Sequence, residues 1–267
     1  MSTVTSALRD SAIVAQRNLI KIKRVPDLLV FTLLSPIMFV LLFAYVFGSA
    51  IPLEGVNYRE FLMAGIFAQT VVFGATITGA GLAEDMQKGI IDRFRSLPMS
   101  RTAVLAGRTA SDVVNNVLVL IVMSLTGLAI GWRINTSIGE ALGGYLLLLL
   151  FAYAVSWMMA YVGLLVPTPE VVNNASFIAI FPLTFIANTF VPTEGFPAVL
   201  RTFADWNPVS AVALTARQAF GNTSDAIPVP DVWALQHPLI YSLIWIGIIL
   251  AVFVPLSVRQ FRLAATR

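Results

Sequence analysis

The chain has 267 residues, of which 58% are hydrophobic and only 12% are charged, and its mean hydropathy is +0.84. Ordinary soluble domains carry about 25% charged residues, so this composition excludes a water-soluble fold. A membrane crossing needs about 20 apolar residues, and the length therefore accommodates about six spans in one membrane domain. The net charge of +3 does not indicate a nucleic-acid partner, because the basic residues flank apolar segments instead of forming a stripe.

Residues 1–27 are predicted to form an N-terminal cytoplasmic segment that contains an amphipathic interfacial helix. Apolar side chains recur there at helical spacing, and three basic side chains lie opposite them: Leu8, Ala12, Ala15, Leu19 and Ile22 against Arg17, Lys21 and Arg24. A solvated leader that only fixes topology is the alternative. The apolar run that follows is longer than the core of a signal peptide, so we expect a retained first span.

Six apolar segments are predicted to span the membrane as helices, within a transmembrane domain of residues 28–258. They are residues 28–48, 61–83, 113–131, 141–166, 171–190 and 239–258. Residues 209–220 are also apolar but too short to span, which is typical of a re-entrant or interfacial piece. Residues 259–267 form a predicted cytoplasmic tail.

The distribution of basic residues predicts the orientation of these spans. Of the 17 lysines and arginines, all but Arg59, Arg133, Arg201 and Arg217 lie in the N-terminal segment, in residues 84–108 or in the tail. Positive residues beside spans are retained in the cytoplasm, so both termini are predicted to be cytoplasmic.

The loop after the second span contains acidic and apolar residues in addition to the basic residues that set topology. Its charged residues Glu84, Asp85, Lys88, Asp92, Arg93 and Arg95 are interleaved with Ile90, Ile91, Phe94 and Leu97. Pro98 would end a short helix formed by this stretch. A purely topological loop needs no acids and no apolar set, so we predict a docking surface, with a solvated loop as the alternative.

Uncharged polar residues within the spans are the candidates for a transport pathway. We select Gln69, Thr76, Asn115, Asn116, Asn173, Asn174 and Asn188. Bonding between packed helices is the alternative explanation for such side chains. An aromatic lining is a second hypothesis, set against ordinary packing or lipid contact, for Phe31, Phe39, Phe43, Phe67, Phe73, Phe177, Phe181 and Phe185.

No catalytic residues and no metal site are predicted. The sequence has no phosphate-binding GxxxxGK[ST] loop, no cysteine and one histidine, His237. The spans have no acid near their centres, which argues against proton coupling. Asp112 and Glu84 lie at span ends, where we expect solvated boundary residues.

Two stretches resemble a known family. Glu84, Gly89, residues 93–101 and the Gly107–Arg108 pair are similar to the signature loop of ABC-2 type exporter permeases, with the daunorubicin-resistance subgroup the nearest in pattern. Residues 190–212, which include Asn207 and Pro208, are similar to the external segment of that family after its fifth span.

This resemblance implies an N-terminal interface helix, a coupling helix at residues 84–100 and short external re-entrant helices between spans five and six. It also implies a permease dimer, formed by two copies or by this chain and a paralogue, with separate ABC ATPase subunits that hold ATP and Mg. The coupling contacts would be Glu84, Asp85, Lys88, Asp92, Arg93, Arg95 and Pro98. The expected activity is export of an amphipathic or lipid-like molecule, such as a drug, polyketide or glycolipid, across a bacterial plasma membrane. A secondary carrier and a non-transporting assembly subunit are the alternatives.

Overall fold

The computed structural model describes residues 26–48, 51, 53, 55–90, 101–224 and 226–263, and for residues 26–33 and 101–104 it describes the backbone alone. The predicted amphipathic helix before residue 26 lies outside the described residues, as do residues 91–100 of the loop and the end of the tail. Throughout the described part the regular structure is helical, with no strand.

The described residues form ten α-helices. They are α1 (Pro26–Leu41), α2 (Tyr58–Gly74), α3 (Thr76–Gln87), α4 (Arg101–Ala129), α5 (Ile138–Leu165), α6 (Pro169–Phe185), α7 (Ala198–Asp205), α8 (Pro208–Phe220), α9 (Trp233–Gln236) and α10 (Pro238–Leu263). A π-helical turn, Leu42–Phe47, continues α1, and a 3₁₀ turn, Thr193–Gly195, precedes α7.

Helix α5 is the centre of the bundle, because it packs against α2, α3, α4, α8 and α10. Its start is fixed by a capping box. The Glu140 N–H donates to the Ser137 hydroxyl at 3.3 Å, and the Ser137 N–H donates to the Glu140 carboxylate at 3.0 Å. These bonds satisfy amide groups that the first helical turn leaves unpaired.

Four helical segments are long and apolar enough to cross a membrane. They are Tyr58–Gln87, Leu105–Ala129, Ile138–Leu165 and Pro238–Leu263, and they correspond to the predicted second, third, fourth and sixth spans. The first predicted span contains a shorter apolar helix, Leu34–Phe47, and the fifth contains the 17-residue α6. The structure thus confirms an all-helical membrane protein with four strong span candidates, and the count of six remains a prediction.

The second predicted span is interrupted at Ala75, where α2 ends and α3 begins. The Thr76 hydroxyl donates to the Phe73 carbonyl at 2.7 Å, and the Thr78 N–H donates to the Ala75 carbonyl at 3.1 Å. Such bonds replace the regular ladder and bend a helix. Gln69 and Thr76 thus belong to different helices, although both lie in the second predicted span.

Small residues let α3 and α5 approach closely. A Cβ atom added at Gly163 would collide with the Gly79 backbone, and one added at Gly79 would lie 2.7 Å from the Met159 carbonyl oxygen. Backbones can come this near only where side chains are absent. The Gly79–Gly163 contact therefore fixes α3 against the central helix.

The predicted external segment folds as two helices. Pro197 occupies the N-cap position of α7, and the Asn207 side chain caps α8 by accepting the Val209 N–H at 2.9 Å. Helix α8 packs against α2, α5 and α10 and ends at Gly221, whose φ of +67° is readily adopted by glycine. The predicted apolar segment 209–220 is thus a buried helix, and its re-entrant character remains a prediction.

Candidate functional site

A cavity of about 450 Å³ lies among α1, α2, α3, α4 and α6, next to the break at Ala75. We call it the amide–phenylalanine cavity. Its lining includes Ser35, Pro36, Phe39, Gln69, Thr70, Phe73, Gly74, Thr76, Ile77, Asn115, Asn116, Val119, Phe177, Phe181 and Phe185. It combines polar and aromatic groups in one space between helices.

Four of the seven predicted pathway residues meet in this cavity. Gln69 and Thr76 come from the two sides of the helix break, and Asn115 and Asn116 come from α4. Gln69 and Asn116 are buried, with exposed fractions of 4% and 2%. The Nε2 atom of Gln69 is enclosed and has no hydrogen-bond partner among the described residues. Buried amide groups usually have a hydrogen-bond partner, so the Gln69 amide is an exception among the described residues of the cavity wall.

The aromatic side of the cavity comes from five of the eight phenylalanines considered from sequence. The rings of Phe177 and Phe181 lie 5.0 Å apart and those of Phe181 and Phe185 lie 4.1 Å apart, while Phe39 meets Phe185 at 6.2 Å. These separations are typical of interacting aromatic rings. The stack gives the cavity a wall suited to a flat or apolar molecule.

Three predicted pathway residues lie elsewhere. Asn173 and Asn174 are exposed on the outer face of α6. Asn188 is buried near the start of α2, where its side-chain oxygen accepts a hydrogen bond from Arg217 at 3.2 Å. Sequence alone does not separate these positions, because all seven are polar residues in apolar runs.

The residues that flank the loop form two ion pairs at one end of the bundle, which we call the loop end. Lys88 Nζ lies 2.5 Å from Glu84 Oε1, and this hydrogen bond raises the pKa of Lys88. Arg108 lies 3.2 Å from Asp85 in a buried pair. The predicted coupling residues Asp92, Arg93, Arg95 and Pro98 lie outside the described residues, so their placement remains a prediction.

The buried pair continues into a polar network that reaches the cavity. Arg108 Nη2 donates to the Ile77 carbonyl at 3.4 Å, and the Thr78 hydroxyl donates to Asp112. The Asn116 amide then donates to the Asp112 carbonyl at 2.9 Å. Because Asn116 and Ile77 also line the cavity, the loop end and the cavity share one set of contacts. We name these residues the loop-end network.

The expectation of a solvated boundary residue is wrong for Asp112, whose exposed fraction is 8%. Its place near the end of an apolar run gave no sign of burial. The burial follows from the packing of α3 on α4, which brings Thr78 against the carboxylate. A buried carboxylate needs such donors, because burial otherwise disfavours its charge.

The sequence analysis considers Arg217 only as one of four basic residues outside the predicted cytoplasmic segments. The structure gives it a structural role. Its guanidinium is 1% exposed and donates to the carbonyls of Phe61 and Thr189 at 2.8 and 3.2 Å, and to the Asn188 carbonyl. It also lies 3.7 Å from the centre of the Phe61 ring. This arrangement joins α8, the start of α2 and the chain after α6. Its only sequence signal is a cation within an apolar run.

Comparison with known proteins decides the family. The family model of the ABC-2 type transporter matches residues 11–220. The chain belongs to the ABC-2 type transporter family. The matched region contains the cavity, the loop-end network and α8.

Curated relatives of this ABC-2 permease agree with that assignment. The daunorubicin resistance ABC transporter permease protein DrrB1 of Streptomyces coeruleorubidus is 33% identical over 92% of this chain and 83% of its own length. The putative transport permease ycf38 of Cyanophora paradoxa is 24% identical over 84% of this chain and 79% of its own length. The protein of the same name from Porphyra purpurea is 24% identical over 78% of this chain and 72% of its own length.

This chain is therefore a membrane subunit of an ABC exporter, as the sequence resemblance predicted. Permeases of the family are transport subunits without an ATPase domain of their own, and family membership implies an ABC ATPase partner.

Proposed function

We propose that the amide–phenylalanine cavity is part of the export pathway for an amphipathic or lipid-like molecule, such as a drug, polyketide or glycolipid. The observation that carries this proposal is that the amide residues Gln69, Asn115 and Asn116 and a stack of phenylalanine rings line one space of about 450 Å³. A molecule with an apolar body and a few polar groups matches both walls. Pockets that bind small molecules commonly show this combination.

The permease works as a pair in this proposal, with a second copy or a paralogue covering the outer face of α6. That helix contacts the rest of its own chain through the buried stripe of Val172, Ser176, Ile180 and Thr184. Its opposite face leaves Asn173 and Asn174 exposed beside Phe177. Amides facing hydrocarbon are costly, and a partner helix would supply hydrogen-bond groups that lipid lacks.

The energy comes from ABC ATPase subunits in the cytoplasm, which hold ATP and Mg, and the complex hydrolyses the nucleotide. Residues 84–100 contact the ATPase, with Glu84, Asp85, Lys88, Asp92, Arg93, Arg95 and Pro98 as the contact set. Nucleotide binding shifts the permease only if it favours one arrangement of the paired ATPases. The loop-end network supports this coupling, because Asp85 and Arg108 flank the loop and Asn116 reaches the cavity.

The remaining parts of the proposal concern topology. Six spans place both termini on the cytoplasmic side of a bacterial plasma membrane, with α7 and α8 at the outer side. The basic residues of the loop and the termini support this orientation. In this arrangement the first and fifth spans contain α1 and α6.

Val119→Trp and Leu118→Trp form a matched pair that tests the cavity. Val119 lines the cavity and is 4% exposed, whereas its neighbour Leu118 is 46% exposed on the outer face of α4. We expect Val119→Trp to reduce export of daunorubicin, the drug named for the bacterial relative, by at least about tenfold, because an indole obstructs the cavity. Leu118→Trp should retain export within about twofold.

Uptake is measured in inside-out vesicles that contain the permease with its ATPase, with and without ATP, and folding is checked by the melting temperature. If Val119→Trp misfolds, Gln69→Leu serves in its place. Equal export by the matched variants would contradict the pathway assignment. Uptake that needs no ATP would favour a secondary carrier, and a complex without substrate-stimulated ATP hydrolysis or uptake would favour an assembly subunit.

A further inference from the structure

A second pocket, of about 880 Å³, has residues of α5, α7 and α10 in its lining. We call it the α7 pocket. One side of the pocket comes from the central helix α5 and from Trp245, Ile249 and Phe253 of α10. Val199 and Phe203 of α7, with Trp206 directly after this helix, form another side. It is separate from the amide–phenylalanine cavity, since the two share no lining residue.

The chemistry of the α7 pocket is that of a hydrocarbon site. Of its lining residues only Thr202 and Asn207 carry a hydroxyl or an amide, Trp206 and Trp245 add an indole N–H each, and none is charged. The Thr202 hydroxyl donates to the Ala198 carbonyl at 3.0 Å, and the Asn207 amide donates to the carbonyls of Leu183 and Ile186 at 2.7 and 2.9 Å. Their donors are thus used within the chain. A polar ligand would find little to bind, whereas an alkyl chain needs only the apolar walls.

The exposed and charged residues of α7 indicate the surroundings of the pocket. Val199 and Phe203 lie on one face of α7 and are 81% and 47% exposed, and Trp206, directly after the helix, is 47% exposed. The other face carries Arg201, which is exposed, and Asp205, whose carboxylate accepts the Thr193 hydroxyl at 2.9 Å. A short helix with one apolar and one charged face is typical of the boundary between water and membrane. Because α5 and α10 are long enough to cross a membrane, we expect the pocket to lie beside lipid acyl chains.

We propose that the α7 pocket holds an acyl chain of a membrane phospholipid as a resident part of the folded protein. The chain would cover the apolar face of α7 and fill the space between this helix and the two spans below it. The Tyr241 hydroxyl donates to the Trp206 carbonyl at 2.7 Å, so the end of α7 is also tied to α10. The bound lipid and this hydrogen bond would together hold the outer segment on the membrane domain.

The test uses two tryptophans as reporters and a phospholipid with dibrominated acyl chains as the probe. Bromine quenches tryptophan fluorescence on contact. Trp245 lines the pocket, whereas Trp157 is 4% exposed and lies outside it. The permease with its ATPase is reconstituted in brominated or ordinary phosphatidylcholine. The contribution of each reporter is obtained by subtracting the spectrum of Trp245→Phe or Trp157→Phe.

We expect brominated lipid to remove at least about half of the Trp245 fluorescence and less than about a fifth of the Trp157 fluorescence. Extraction into detergent removes loosely bound lipid, and the quenching of Trp245 should persist after it. Recovery of the full Trp245 signal in detergent would overturn the proposal. So would an unquenched Trp245 in vesicles, which is the result expected if a helix of a second copy fills the pocket.

A variant that fills the pocket tests whether the quenching lipid is bound at this place. Val155 lines the pocket and is 2% exposed, while Ile248 is 46% exposed on the outer face of α10. Val155→Phe should abolish the quenching that persists in detergent, and Ile248→Phe should leave it unchanged. Ile249→Phe, also at the pocket, replaces Val155→Phe if that variant does not fold. Persistent quenching in a folded pocket-filling variant would contradict a lipid bound at this place.

Discussion

Two buried arginines lie towards opposite ends of the Tyr58–Gln87 segment and are held in different ways. Arg108, at the loop end, pairs with the Asp85 carboxylate at 3.2 Å. Arg217, near the start of the segment, is held by the carbonyls of Phe61, Asn188 and Thr189, and no carboxylate is among its described partners. The permease thus uses one type of side chain in two structural roles.

The difference indicates which end of the bundle can rearrange. An ion pair joins two side chains, each of which can rotate or accept another partner. The carbonyls around Arg217 belong to the backbone of two segments, so their positions change only if those segments move. We therefore infer that the loop end is suited to respond to an ATPase, whereas the Arg217 cluster braces the opposite end.

Arg217→Gln should produce the largest effect on stability. At least two buried carbonyls would lose their donors, and each such loss costs about 1–3 kcal/mol. We expect the free energy of unfolding to fall by about 3 kcal/mol or more, seen as a clear drop in melting temperature. Arg217→Lys should recover little of it, because an ammonium group cannot reproduce the planar guanidinium fork.

The exposed neighbour Gln218 provides the control for this change. Gln218→Ala should alter the free energy of unfolding by no more than about 0.5 kcal/mol. A melting temperature of Arg217→Gln equal to that of Gln218→Ala would show that the carbonyl cage does not brace the fold.

Breaking the pair at the loop end should have a smaller effect on stability and a larger one on coupling. Asp85→Asn and Arg108→Gln each remove one charge of a buried ion pair, and we expect each to cost about 1–3 kcal/mol. Their effects should be non-additive, because the two side chains contact each other. We expect both single variants to lower substrate-stimulated ATP hydrolysis several-fold.

A double-mutant cycle in melting temperature and in stimulated ATP hydrolysis measures this coupling. The exchanged pair Asp85→Arg with Arg108→Asp should regain part of the activity lost by each single exchange. Simple additivity in both measurements would argue against a functional pair.

Lys88→Ala should have the smallest effect on stability, since Lys88 and Glu84 form an exposed pair one helical turn apart. Water and salt screen such pairs, and their contribution to folding is small. We expect no measurable change in melting temperature at physiological salt. A large drop would show that the exposed pair braces the loop end as strongly as the buried one.

Part of the cavity lining could be predicted from the sequence. Gln69, Thr76, Asn115 and Asn116 were selected because polar residues are rare in apolar spans, and all four line the cavity. Asn173 and Asn188 satisfied the same criterion but lie on an outer face and beside Arg217. A polar residue in an apolar segment is energetically costly and therefore stands out in the sequence. The sequence pattern does not show which neighbouring helix its side chain contacts.

The sequence by itself determined the membrane class, the helical architecture, four of the spans and the family. Those features depend on the length of apolar runs, on local charge and on motifs that are read along the chain. Only the tertiary structure showed the burial of Asp112 by Thr78, the cage around Arg217 and the two pockets. Each of these joins residues from separate helices, whose relative faces are set by the break at Ala75 and by close contacts such as Gly79 with Gly163.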